Sequence, residues 1–207
     1  MAVKGAALLL TAVCVIVFIL QIAIPPFTDA WVLNGQAWSQ PWRFITSIFL
    51  HGSLIHLLYN SFALALFGTL LENLLSPRKF IFIFLSTGII ANLITVIIYP
   101  SSLGASGAIF GVIGALTIIR PMLVVWAFGI PMPLFLASAL WALGDLVGIF
   151  VPSNVANIAH LAGLAVGIAV GTLYRSSYDT PQRKRISSIN LDEHAVRHWE
   201  ERYVKQH

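Results

Sequence analysis

Residues 156–174 read ANIAHLAGLAVGIAVGTLY, a run with no charged residue and with a single histidine, His160, near its start. A helix crossing a bilayer needs about 20 mostly apolar residues, so this stretch predicts a membrane span. Five more runs have the same character, at roughly 6–24, 52–72, 79–99, 105–119 and 132–150. The fourth is short and is closed by Arg120-Pro121, while Pro131 and Pro133 precede the fifth. Proline restricts helices at such points, so 121–131 reads as a loop able to dip into the membrane interface.

Composition extends this reading to the whole chain. Of 207 residues 58% are hydrophobic and only 10% are charged, against about 25% charged in soluble domains. Seven of the 12 Lys and Arg and five of the eight acids lie in 175–207. The expected organisation is therefore an all-α, polytopic six-helix bundle over 1–174 with a long external loop at 25–51, followed by a polar tail at 175–207. Lys4 precedes an apolar run longer than a typical signal core, with no small-x-small cleavage site after it, and this reads as a retained first span. Cys14 is the only cysteine, which excludes an intrachain disulfide and a thiolate cluster and reads as a small core or lipid-facing residue. The net charge of +4 comes without a basic patch interleaved with aromatics, so nucleic acid is not an expected partner.

The positive-inside rule orients the chain. With Lys4 in the cytoplasm, Arg78, Lys79, Arg120 and Arg175 are also cytoplasmic, and Arg43 alone is external. The reading is a multi-pass protein of the cell membrane with both termini cytoplasmic. Trp31, Trp38 and Trp42 in the first loop suit either a segment lying in the headgroup region or an ordinary aromatic belt. In the tail, Arg183-Lys184-Arg185 suits anionic headgroups, and Leu191, Ala195, Trp199 and Tyr203 recur at i+4 as in a short amphipathic helix.

Polar side chains inside spans are costly, so each is a candidate for function. His56 near the start of span 2, Ser106 at the start of span 4 and His160 near the start of span 6 all fall within roughly 10 Å of the outer helix ends. Gly107 and Gly111, and Gly163, Gly167 and Gly171, are spaced by four; such faces let backbones pack closely in lipid. A close contact of spans 4 and 6 would bring Ser106 to His160, the hydroxyl–imidazole pairing that nucleophilic catalysis needs. Unpaired N–H groups at the start of span 4 favour negative charge, and Gly104 permits a sharp turn and close substrate approach. His56 and Asn60, four apart, share a helix face and can donate toward one pocket. The competing use of His51, His56 and His160 is metal binding, but that set lacks a carboxylate, and on a helix His51 and His56 would point about 140° apart. No metal is expected.

These residues carry a resemblance. Gly104-Ala105-Ser106-Gly107 matches GxSG, His51 through His56 to Asn60 matches HxxxxHxxxN, and Ala159-His160 with Gly163 and Gly167 matches AHxxGxxxG. With Trp42-Arg43 in the first loop and Glu72 ending span 2, the chain over about 5–174 resembles the rhomboid family of intramembrane serine proteases. The resemblance implies Ser106 as nucleophile and His160 as general base, with the Ser106 N–H, His56 and Asn60 as the oxyanion hole. It also implies membrane-protein substrates cut in or near a transmembrane segment. The site would be a water-filled cavity opening to the external side, gated by span 5 or the loop above it, and Arg43 and Glu72 would be structural. Phe110 stands where many relatives carry a Tyr stacked on the histidine, and it can stack without the hydroxyl. The family uses a Ser–His dyad, so Asp145, the only acid in span 5, is expected to be solvated or to cap a helix.

The alternative is a rhomboid-like protein that binds membrane clients without cutting them, which the intact Ser106 and His160 disfavour. A channel or transporter would call for midplane charge pairs or inverted repeats, and neither is visible. No cofactor is implied, since Ser, His and water suffice for hydrolysis.

Overall fold

The computed structural model describes residues 5–151, 155–187 and 193–203, with side chains for all of these except 176–187 and 195. Four helices are long and apolar enough to cross a membrane: α1 (Ala6–Ala23), α2 (Leu54–Leu74), α3 (Pro77–Ile98) and the apolar part, Asn157–Arg175, of α6. Two shorter apolar helices, α4 (Ser106–Ile119) and α5 (Leu134–Gly148), lie between them. α6 as a whole runs Asn157–Ser187. The chain divides into two compact units, Met1–Arg175 and Ser176–His207. The second contains α7, Glu193–Tyr203, where the tail's i+4 pattern predicts a helix. Lys4, Leu191 and the side chains of Arg183, Lys184 and Arg185 lie outside what is described.

Helix starts follow local chemistry. Ser53 accepts a hydrogen bond from the His56 N–H at 3.1 Å and so caps α2. Ser76 caps α3, with Pro77 in its first turn, a position where the missing N–H costs nothing. α1 has no cap of its own. Instead the buried Glu72 carboxylate, at the end of α2, accepts from the N–H groups of Gly5 at 2.6 Å, Ala6 at 3.1 Å and Ala7 at 3.0 Å. Three orphan donors and the positive end of the α1 dipole thus meet one anion. α2 carries a π-helical turn at Leu64–Gly68, and there a Cβ on Gly68 would lie 3.0 Å from that of Ala7.

The first loop is held by Arg43, which is 4% exposed. Its guanidinium donates to the carbonyls of Asp29 at 2.9 Å and Val32 at 2.8 Å and to the side chains of Gln36 and Gln40. Trp31, Trp38 and Trp42 remain exposed.

Residues 121–131, expected to be a loop, are largely a hairpin. Val124–Ala127 pairs antiparallel with Ile130–Pro133, around a turn in which Phe128 and Gly129 both have positive φ. Such two-residue turns suit the twist of a hairpin, and proline is tolerated in a strand with no further neighbour. Val124, Trp126 and Ile130 are exposed, while Val125, Ala127 and Met132 are buried.

Replacing Glu72 with Ala leaves three N–H groups without their acceptor. We expect a loss of about 2 kcal/mol or more, read as a lower thermal midpoint in detergent, with Glu72→Gln falling less because it keeps an acceptor.

Candidate active site

α4 starts at Ser106, and the turn before it is anchored from two sides. Gly104 has φ +128, a conformation that L side chains rarely adopt. A Cβ there would also lie 2.7 Å from Cε1 of His56, so Gly104 makes room for the His56 ring. The Gly104 N–H donates to the Ser47 carbonyl at 2.9 Å. The Ser47 hydroxyl donates to the Arg43 carbonyl at 2.7 Å. Asn92, on α3, donates to that hydroxyl at 3.0 Å and to the Phe44 carbonyl at 2.8 Å. Arg43, the first loop, α3 and the turn before Ser106 therefore form one buried network. Asn92 and Ser47 were not singled out in the sequence, although Asn92 is the only amide side chain in its span, which is the cue that polar residues in spans provide.

α4 is packed on both flanks by glycine. A Cβ on Gly163 would overlap the Gly107 carbonyl, and one on Gly167 the Gly111 carbonyl. On the other side Gly111 faces the Thr87 side chain of α3, and a Cβ on Gly88 would lie 2.9 Å from that of Ala108. The α4–α6 contact is thus backbone against backbone.

Ser106 and His160 lie together at this contact. His160 Nε2 is 2.8 Å from Ser106 Oγ. Phe110, one turn beyond Ser106, stacks on the imidazole with centroids 4.5 Å apart and planes 4° apart. The other ring nitrogen, Nδ1, is 2.9 Å from Oδ1 of Asp145. This differs from the solvated or capping role expected for Asp145, which is 8% exposed. α5 turns this residue inward, and it stands three residues before the end of the helix, not in its first turn.

Asn60 is buried, and its Nδ2 donates to the His56 carbonyl at 3.1 Å. His51 lies ahead of α2, not on it, so the expected 140° separation from His56 does not apply; the two rings meet edge to face at 5.1 Å. His51 Nδ1 is 3.2 Å from the Phe49 carbonyl, so that nitrogen carries the proton. Burial, and then the neighbouring His56, push the His51 imidazole down to about 4, against the pull of the Phe49 contact. Among the described residues no group of three or more His, Cys, Asp or Glu could hold a metal.

A hydroxyl, an imidazole and a carboxylate in line can move a proton and build a nucleophile, and the first-turn N–H groups of α4 can meet an anion. Such a grouping has the side chains that serine hydrolases use, and it lies in a helical protein with several helices long and apolar enough to cross a membrane. The Rhomboid domain matches residues 38–177, and the chain belongs to the rhomboid family. It is 35% identical over 148 residues to the "Putative rhomboid protease YdcA" of Bacillus subtilis (strain 168), covering 69% of each chain. It is 27% identical over 176 residues to the rhomboid protease GlpG of Haemophilus influenzae, covering 79% of this chain and 88% of that one. With RHOMBOID-like protein 6, mitochondrial, of Arabidopsis thaliana it shares 30% identity over 135 residues, 64% of this chain but 43% of the relative.

Gly163→Ala forces a Cβ into the Gly107 carbonyl and is expected to cost about 1–3 kcal/mol, seen as a lower thermal midpoint. Gly144 on α5 has nothing within 4 Å of its Cβ position, and Gly144→Ala leaves the midpoint unchanged or slightly raised.

Proposed function

We propose that the chain is an intramembrane serine endopeptidase that hydrolyses peptide bonds in or near transmembrane segments of membrane-protein substrates. The observation that carries this reading is the 2.8 Å contact of Ser106 Oγ with His160 Nε2 at the first residue of α4. In this scheme the Ser106 oxygen attacks the scissile carbonyl while His160 Nε2 takes the hydroxyl proton. The same imidazole returns that proton to the leaving amine, and water then releases the acyl-enzyme by the reverse sequence. The developing oxyanion would meet the first-turn N–H groups of α4 and the half-buried His56 ring beside Gly104. Asn60, engaged with the His56 carbonyl, would steady that part of α2 and join the oxyanion hole if its amide turns. The relatives named as rhomboid proteases support hydrolysis over simple client binding.

Depth supports the substrate class. α4 has 14 residues, about 21 Å of helix, against a hydrocarbon core of about 30 Å. If α4 lies within that core, Ser106 lies below the headgroups, where it would meet a substrate's own span. We also propose that all six apolar helices cross the membrane, that both termini and the 175–207 tail are cytoplasmic, and that the site opens to the external side. These assignments rest on the distribution of Lys and Arg.

The test is cleavage of a single-span reporter in liposomes by the parent chain, Ser106→Ala and His160→Ala. Product from the parent alone is expected. Equal cleavage by Ser106→Ala would sink the nucleophile assignment, and reporter binding without cleavage by all three would favour the client-binding reading. His56→Ala is expected to lower kcat about 10²- to 10³-fold, as loss of one oxyanion donor does.

A further inference from the structure

We propose that Asp145 is a positioning residue for His160, so that this chain works with a Ser106–His160–Asp145 array in place of a bare dyad. The inference rests on the serine-protease reading above and adds to it a third side chain with a defined task.

The geometry is specific. Asp145 Oδ1 lies 2.9 Å from His160 Nδ1, and His160 Nε2 lies 2.8 Å from Ser106 Oγ, so the imidazole is bonded at both nitrogens. An ionised carboxylate only accepts hydrogen bonds. Against it Nδ1 must be the donor, which leaves Nε2 as an acceptor facing the Ser106 hydroxyl. That tautomer is the one able to take the serine proton; the other presents an N–H to Ser106 and cannot. Phe110 holds the ring plane by stacking but cannot choose between tautomers. His56 and, behind it, His51 are the other titratable side chains near the site among the described residues, and neither carries a negative charge. Among the described residues Asp145 is the group that can make this choice.

The cost of the arrangement points the same way. The Asp145 side chain is 10% exposed and that of His160 is 13% exposed. Asp145 Oδ2 is buried with no hydrogen-bond partner among the described residues. A buried carboxylate with so few partners is an expensive structural device. It becomes favourable when the imidazole takes the serine proton, because a positive ring then stands against it in a poorly screened site.

Asp145 comes from α5 and His160 from α6, so the array also depends on how α5 is seated. The 2.7 Å contact of Thr117 on α4 with Ser138 on α5 fixes that register, and the hairpin at 124–133 leads directly into α5.

The experiment uses the full chain in liposomes and compares the parent, Ser106→Ala and Asp145→Asn, an isosteric change that removes the charge. Two readouts are needed: kcat and KM for the single-span reporter, and the rate and final extent of labelling by a small serine-directed fluorophosphonate. The labelling requires no protein substrate and counts folded sites. For Asp145→Asn, kcat per labelled site is expected to fall steeply, by up to about 10⁴-fold, the loss that removing the charge of a triad acid can give. KM should stay within about threefold, and labelling should be slower with its extent unchanged. A kcat per labelled site close to that of the parent overturns the proposal. So does a loss confined to the extent of labelling or to the thermal midpoint, since that is the mark of helix packing. Should Asp145→Asn not fold, Asp145→Ser gives the same reading. If Ser106→Ala cleaves and is labelled like the parent, the protease reading itself falls and Asp145 falls with it. A labelled parent with an unaffected Asp145→Asn removes only the third residue.

Discussion

Between α4 and α6 there is no room for a side chain, and the geometry of the candidate site follows from that. Gly163 and Gly167 each face a backbone carbonyl of α4, and Gly171 faces Ala115, so the helices touch main chain to main chain along more than two turns. In lipid no hydrophobic force draws two helices together, because the tails are as apolar as the side chains. What remains is dispersion between closely matched surfaces, and small residues maximise it. Ser106 precedes the first of these contacts and His160 stands three residues before Gly163. Their separation is therefore set by the backbone approach and not by the reach of flexible side chains. A hydroxyl–imidazole distance of 2.8 Å leaves no tolerance for a methyl group at Gly163.

The same crowding explains how α4 can be so short. Most of its residues are buried, from Gly107 and Ala108 to Leu116 and Ile119. A helix wrapped by its neighbours does not have to match the bilayer, since its ends meet protein instead of lipid. An end set in from the surface leaves first-turn N–H groups in need of partners. The turn at Gly104, braced by Ser47 and through it by Asn92 and Arg43, holds that end open beside His56. Arg43 and Glu72 do related work elsewhere: each charge is buried, and each satisfies main-chain groups that no secondary structure reaches.

Much of this was legible in the sequence because membrane helices are written in runs of apolar residues, and their close contacts in glycines four apart. With α6 taken over its apolar part, Asn157–Arg175, the six apolar helices start and end within two residues of the segments read from hydropathy. The hairpin at 124–133 was not legible. Its prolines argue against a central strand but not against a lone hairpin, and its turn is Phe128-Gly129, not the Asn-Gly that signals such turns. The cap of α1 by Glu72 was hidden for another reason: the donor and acceptor are 65 to 67 residues apart, and nothing local marks the pair. His51 was misplaced because a helix was projected through residues that lead up to the Ser53 cap.

Asp145 is the most instructive of these cases. Its burial against His160 depends on the rotation of α5 about its own axis. That rotation is settled by contacts such as Thr117–Ser138, not by the α5 sequence, in which apolar residues cover every face. Without a polar stripe the inward side of such a helix cannot be read from periodicity. The expectation of a dyad, carried over from relatives, then weighed against the acid that stands beside the imidazole. A motif states which side chains a fold holds in common, whereas a buried carboxylate on an otherwise apolar helix is a cost borne by this chain. That cost is intelligible only through what the carboxylate touches, and what it touches here is the nitrogen of His160 that faces away from Ser106.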